Sequence, residues 1–176
     1  MPEYKKDPII LTSIAANDKI ITLSWKKIDR EDVIFVENER ALYYKFSQII
    51  RDLDPDIIVG YNSDLFDFPY LRDRAKYLGI DFRLMDEEVR LVRRGRDWIP
   101  KFEKFITIDL FTFVRNIISP RLRTEVLNLD AVAREILGEG KLLGKYERMT
   151  MGEIWDRGEI EKLVDYNQRD AELTYK

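Results

Sequence analysis

Residues 56–71 read DIIVGYNSDLFDFPYL, and the fold turns on how this stretch is parsed. Ile57–Gly60 is an apolar run ending in glycine, the pattern of a short buried strand. FPYLRDRAKYL at 68–78 carries apolar residues at helical spacing, closed by Gly79. Strand and helix explain the two flanks but not the polar cluster Tyr61, Asn62, Asp64 and Asp67 set around Leu65 and Phe66. Open α/β sheets gather functional groups at the carboxyl ends of their strands, so chemistry is expected in this cluster.

Working outward, IILTSIAA at 9–16 and IITLSW at 20–25 are β-branched runs separated by Asn17-Asp18-Lys19, a hairpin signature. A possible edge strand follows at 33–36. Leu42, Phe46, Ile49, Ile50 and Leu53 then mark a helix from residue 39, stopped by Asp54-Pro55. Residues 82–105 alternate charge and bulk, as expected of an exposed β-excursion turning at Arg94-Gly95, and ITIDLF at 106–111 reads as a second buried strand. Helices are expected at 111–118, 126–137 and 159–175, with a short one at 151–157 behind the capping-box pair Thr150 and Glu153. No repeat or linker interrupts the 176 residues, which suit a single α/β domain spanning 1–176.

Composition narrows the chemistry. The chain has no Cys and no His, so thiolate sites, disulfides and imidazole bases are excluded, and an active site must use carboxylates, Tyr or Lys. Charged residues reach 36%, a composition that thermophilic proteins favour. A net charge of −3 argues against coating nucleic acid by bulk electrostatics and leaves a local groove open. The start, MPEYKKDPII, lacks a signal-peptide core, and no apolar run approaches the roughly 18 residues that cross a bilayer; a cytoplasmic address is expected.

The acidic candidates are Asp67 after the first buried strand, Asp109 at the end of the second as a possible auxiliary, and Asp170. The last lies four residues after Tyr166, so the pair shares a helix face. Hard cations such as Mg²⁺ or Mn²⁺ choose carboxylate oxygens and, in pairs, serve phosphodiester cleavage. Plainer readings stand beside these: Asp67 as a helix N-cap, and Tyr166–Asp170 as surface decoration. The basic run at 89–104 around Trp98 offers a phosphate track or, more simply, a solvated hairpin.

YNSDLFD at 61–67 resembles the second exonuclease motif of family-B DNA polymerases, particularly archaeal ones, and YNQRD at 166–170 resembles their Tyr-x-x-x-Asp third motif. The separation of the two, the order of intervening elements including ITIDLF, and WKKI at 25–28 are similar as well. The resemblance implies a ribonuclease H-like mixed sheet flanked by helices and a 3′–5′ proofreading activity using two divalent ions, Mg²⁺ or Mn²⁺. It implies that Asp67 and Asp170 are metal ligands, that Tyr166 orients the attacking water, and that Asn62 and Phe66 meet the single-stranded DNA 3′ end.

One part of the pattern is absent. The family's first motif, Asp-x-Glu on the first and central strand, has no counterpart at the end of an apolar run here, and MPEYKKDPII corresponds to a point already past that strand. Weak or absent metal binding and little or no activity by this polypeptide alone are therefore expected. So is completion of the sheet by the remainder of a polymerase or by a second copy. The alternatives are a non-catalytic module that holds single-stranded DNA or braces a polymerase, and an unrelated α/β interaction protein with chance motifs.

Overall fold

The computed structural model describes residues 2–140, 153, 154 and 157–176. Strands β1 (Leu11–Ala16) and β2 (Lys19–Ser24) pair antiparallel. The turn between them is Asn17-Asp18, with φ of 51° and 58°. Two left-handed residues in a two-residue turn match the twist of the strands, and Asn and Asp adopt that region more readily than other residues with a Cβ. Strand β3 (Val33–Phe35) adds to β2 in parallel, giving the order β1-β2-β3.

Helix α1 (Glu39–Leu53) starts where the Asn38 side chain accepts the Ala41 N–H at 2.9 Å. It ends at Asp54, which is left-handed at φ 44° and donates its N–H to the Ile50 carbonyl at 3.1 Å; Pro55 cannot extend the helix. Between these stops the helix walls two adjoining apolar clusters. Leu42 and Ile49 pack with Leu23 and Val36, while Tyr43 and Ile50 pack with Phe68, Ala75, Phe82 and Leu84. Tyr43 meets Phe82 edge-on at 5.0 Å and keeps its hydroxyl satisfied on the Leu71 carbonyl at 2.9 Å.

Strand β4 (Ile57–Gly60) leads through a six-residue loop, 61–66, into helix α2 (Asp67–Tyr77). Gly79, at φ 63°, follows the C-cap Leu78 and lets the chain reverse. The excursion comprises β5 (Arg83–Leu84) with β6 (Glu87–Glu88), then the hairpin β7 (Arg90–Arg94) and β8 (Asp97–Lys101). Its turn is Gly95-Arg96, one residue later than the sequence suggests, because Gly95 supplies the positive φ of 64°. Strand β9 (Ile106–Asp109) runs parallel to β4, with Gly60 opposite Asp109.

Helix α3 (Leu110–Phe113) passes into a π-turn at Val114–Ile118 and a 3₁₀ turn at Ser119–Arg121. Helix α4 (Leu129–Leu137) begins three residues later than the apolar pattern implies, because the Asn128 side chain caps it on the Ala131 N–H at 2.8 Å. The expected helix at 151–157 lies largely outside the described residues. Helix α5 (Ile160–Tyr175) packs on β1 and β2 and also touches β4 and α4. Its Gln168 amide donates to Thr22 Oγ1 at 3.0 Å and to Asp32 at 2.9 Å, and Arg30 bridges Asp32 to Asp165.

The architecture is mixed α/β. Among the described residues the three-stranded sheet and the β4-β9 pair are separate ladders, so β1, β3, β4 and β9 each have one edge without a ladder partner.

Candidate functional site

Parallel strands β4 and β9 finish side by side, and the 61–66 loop folds over their ends. The loop leaves Gly60 tightly: a Cβ there would lie 2.4 Å from both Cβ and Oγ of Ser63, closer than any non-bonded contact allows. Asn62 then takes the left-handed region at φ 65°. The Phe66 N–H donates to the Asn62 carbonyl and the Phe68 N–H to the Ser63 carbonyl, both at 3.0 Å, so the loop winds directly into α2. Tyr61 ties it sideways, donating its hydroxyl to the Leu127 carbonyl at 2.6 Å and setting its ring 5.9 Å from Phe111. Burial, then the Asp109 charge, push the Tyr61 hydroxyl up to about 12, which keeps it a donor at neutral pH.

Asp109 is the centre of this arrangement. It is only 6% exposed, and its carboxylate accepts three backbone N–H groups. Oδ1 takes Asn62 at 3.0 Å and Thr112 at 3.2 Å, and Oδ2 takes Asp64 at 3.1 Å. One side chain thus caps α3 and fastens the loop.

Asp67 is the first residue of α2, and Phe66 occupies the cap position with no side-chain hydrogen bond, so Asp67 is not the N-cap that the sequence offered as an alternative. The residue is exposed, yet its carboxyl is partly desolvated. That desolvation, partly opposed by its own backbone N–H and reinforced by the Asp109 charge, raises it to about 6. Asp64 is raised to about 6 for related reasons: lost solvent first, then Asp109, with Arg94 pulling the other way. Its Oδ1 is buried with no hydrogen bond to any described residue, as is Ser63 Oγ. The Phe66 ring is half-buried, tilted against Tyr70 at 5.8 Å.

Tyr166 and Asp170 lie one turn apart on α5, both half-buried, on the helix that touches β4. The Thr174 hydroxyl donates to the Asp170 backbone carbonyl at 2.8 Å. Among the described residues no group of three or more His, Cys, Asp or Glu side chains is placed to hold a metal ion. Asp109, with both oxygens engaged by backbone donors, is poorly suited to add a ligand. The described donor set therefore does not fit a two-ion centre.

Sequence reasoning placed Asp109 near the site but missed its part in it. Thr112 three residues on is an N-cap signal, whereas the Asn62 and Asp64 amides come from 47 and 45 positions away and leave no local trace. The basic hairpin is largely solvated, with Trp98 56% exposed and Arg90, Arg93, Arg94 and Arg96 at the surface. Among the described residues no helix is long and apolar enough to cross a membrane.

Comparison with known proteins places these residues in context. Residues 1–124 match the profile of the DNA polymerase family B exonuclease domain. A DNA polymerase of Thermococcus aggregans is 35% identical over 179 residues, covering 99% of this chain and 10% of that protein. DNA polymerase 1 of Pyrococcus abyssi is 34% identical over 177 residues, covering 99% and 22%. A DNA polymerase of Archaeoglobus fulgidus is 35% identical over 175 residues, covering 99% and 20%. The chain spans less than a quarter of the length of these relatives.

Proposed function

Because the chain belongs to the DNA polymerase family B exonuclease domain family, we propose that it is a proofreading-type module whose 61–67 segment and α5 together receive a single-stranded DNA 3′ end. The observation that carries this reading is positional: Asp67 follows the loop that leaves the end of β4 and feels the charge of Asp109 at the end of β9, and α5, which bears Tyr166 and Asp170, lies against β4. In this reading Asp67 and Asp170 are the ligands available to Mg²⁺ or Mn²⁺, Tyr166 orients water, and Asn62 and Phe66 hold the unpaired end.

Two carboxylates balance the charge of two divalent cations poorly. Hydrolysis by this polypeptide alone is therefore weak or absent, and binding without cutting is the second reading, favoured by the commitment of Asp109 to backbone donors. The chain acts as one domain, in the cytoplasm, within or beside a polymerase. In this reading the sheet is ribonuclease H-like and is completed by a further strand, and the separate ladders β1-β2-β3 and β4-β9 are consistent with that. A strand from the rest of a polymerase or from a second copy would add ladder hydrogen bonds along an open edge of these ladders.

A gel shift with a single-stranded oligonucleotide, paired with a Mn²⁺-dependent degradation assay, tests the function: a shift without digestion is expected, and no shift overturns it. Convergence is tested separately. The chain has no cysteine, so an Asp67→Cys, Asp170→Cys double variant should be joined by a short thiol cross-linker. Failure to join would refute the shared site.

A further inference from the structure

We propose that Asp109 is a positioning residue, whose carboxylate holds the 61–66 loop in the shape that presents Asn62, Phe66 and Asp67 to the DNA end. The role in DNA binding rests on the function proposed above; the hold on the loop does not.

The carboxylate is buried at the end of β9, directly opposite Gly60, where the loop departs. It receives the Asn62 and Asp64 N–H groups from one side and the Thr112 N–H from the other. A carboxylate is acceptor-only and can satisfy several donors at once, and hydrogen bonds to an ionised acceptor are roughly twice as strong as neutral ones. Asn62 is held at φ 65° from both sides, its amide by Asp109 and its carbonyl by the Phe66 N–H. The three donors leave the carboxylate little capacity for a ligand, so Asp109 acts through the loop and not on the substrate.

The test is Asp109→Asn, which keeps the shape but replaces one acceptor oxygen by a donor, with Asp109→Ala and Asp109→Glu beside it. Amide hydrogen exchange at Asn62 and Asp64 is followed by NMR, with the β1–β2 ladder as internal reference. Exchange at the two loop amides should rise at least tenfold in the Asn and Ala variants while the ladder amides stay protected, with partial recovery in the Glu variant. A 5′-fluorescein single-stranded oligonucleotide with a free 3′ end should bind at least fivefold more weakly to the Asn variant. Unchanged exchange at Asn62 and Asp64 overturns the hold on the loop, and exchange rising equally throughout the chain reduces Asp109 to general fold support. A loosened loop with unaltered oligonucleotide affinity overturns the positioning role. If the unsubstituted chain binds no oligonucleotide, the proposed function fails, and the exchange data still decide whether Asp109 holds the loop.

Discussion

Arg74 grips Glu39 through two nitrogens, Nε to Oε1 at 2.8 Å and Nη2 to Oε2 at 2.6 Å, with side chains only 8% and 12% exposed. The pair is also a clasp for the N-terminal segment. Glu39 Oε1 accepts the Ile9 N–H at 2.8 Å, and Arg74 Nη1 donates to the Tyr4 carbonyl at 2.8 Å. Breaking one side of a buried pair leaves the other charge uncompensated, which costs about 3–5 kcal/mol. Glu39→Gln should lower the urea midpoint accordingly, and a Glu39→Leu, Arg74→Met double variant should lose much less. Equal losses in single and double variants would show that packing, not charge, holds the segment.

Gly60 leaves no room for a side chain because Ser63 occupies that space at 2.4 Å. Gly60→Ala should destabilise by about 1–3 kcal/mol through overpacking. Adding Ser63→Gly removes both clashing atoms and should recover most of the loss, measured by chemical denaturation. Without recovery, the crowding would have to come from somewhere other than Ser63.

These contacts divide what the sequence discloses from what it hides. Local rules place the Asn17-Asp18 hairpin, the stop at Asp54-Pro55 and the β4-loop-α2 unit, since each is decided by neighbours within a few positions. Motif spacing draws attention to Asp67, Tyr166 and Asp170. Long-range commitments stay hidden: Arg74 finds Glu39 35 positions back, and Gln168 finds Thr22 146 positions back. Asp109 looks like a candidate ligand because its backbone donors cannot be read from one dimension. The start of α4 shifts to Leu129 because the Asn128 cap outweighs the apolar pattern at Val126 and Leu127.

Asp64 should make the chain less stable at neutral pH than in mild acid. Its folded pKa, about 6, lies above the ordinary carboxylate value, so the native state binds the proton more tightly than the unfolded chain. The resulting penalty is present above pH 6 and fades as pH falls toward 4. Solvent still screens this half-buried group, so the penalty is held to about 1 kcal/mol. Asp64→Asn should thus stabilise at pH 7.5 and make little difference at pH 4, by urea denaturation at both values. A gain that persists unchanged at pH 4 would point to packing in place of charge.

The proposed function makes Phe66 the residue on which an unpaired base would stack. Its ring is half-buried and tilted at 31° against Tyr70, at the point where the loop enters α2. Stacking of a base on an aromatic ring is worth about 1–3 kcal/mol, so Phe66→Ala should weaken single-stranded oligonucleotide binding roughly 5- to 150-fold. Phe66→Trp should retain it. Affinities need to be compared at one salt concentration, because phosphate contacts vary with ionic strength and would mask the stacking contribution. Fluorescence anisotropy provides the measurement, and amide exchange at Asn62 checks that the loop itself is intact. If the Ala and Trp variants bind equally well with that amide still protected, the ring does not stack on the DNA, and recognition of the strand end must rest on Asn62 and the backbone around it.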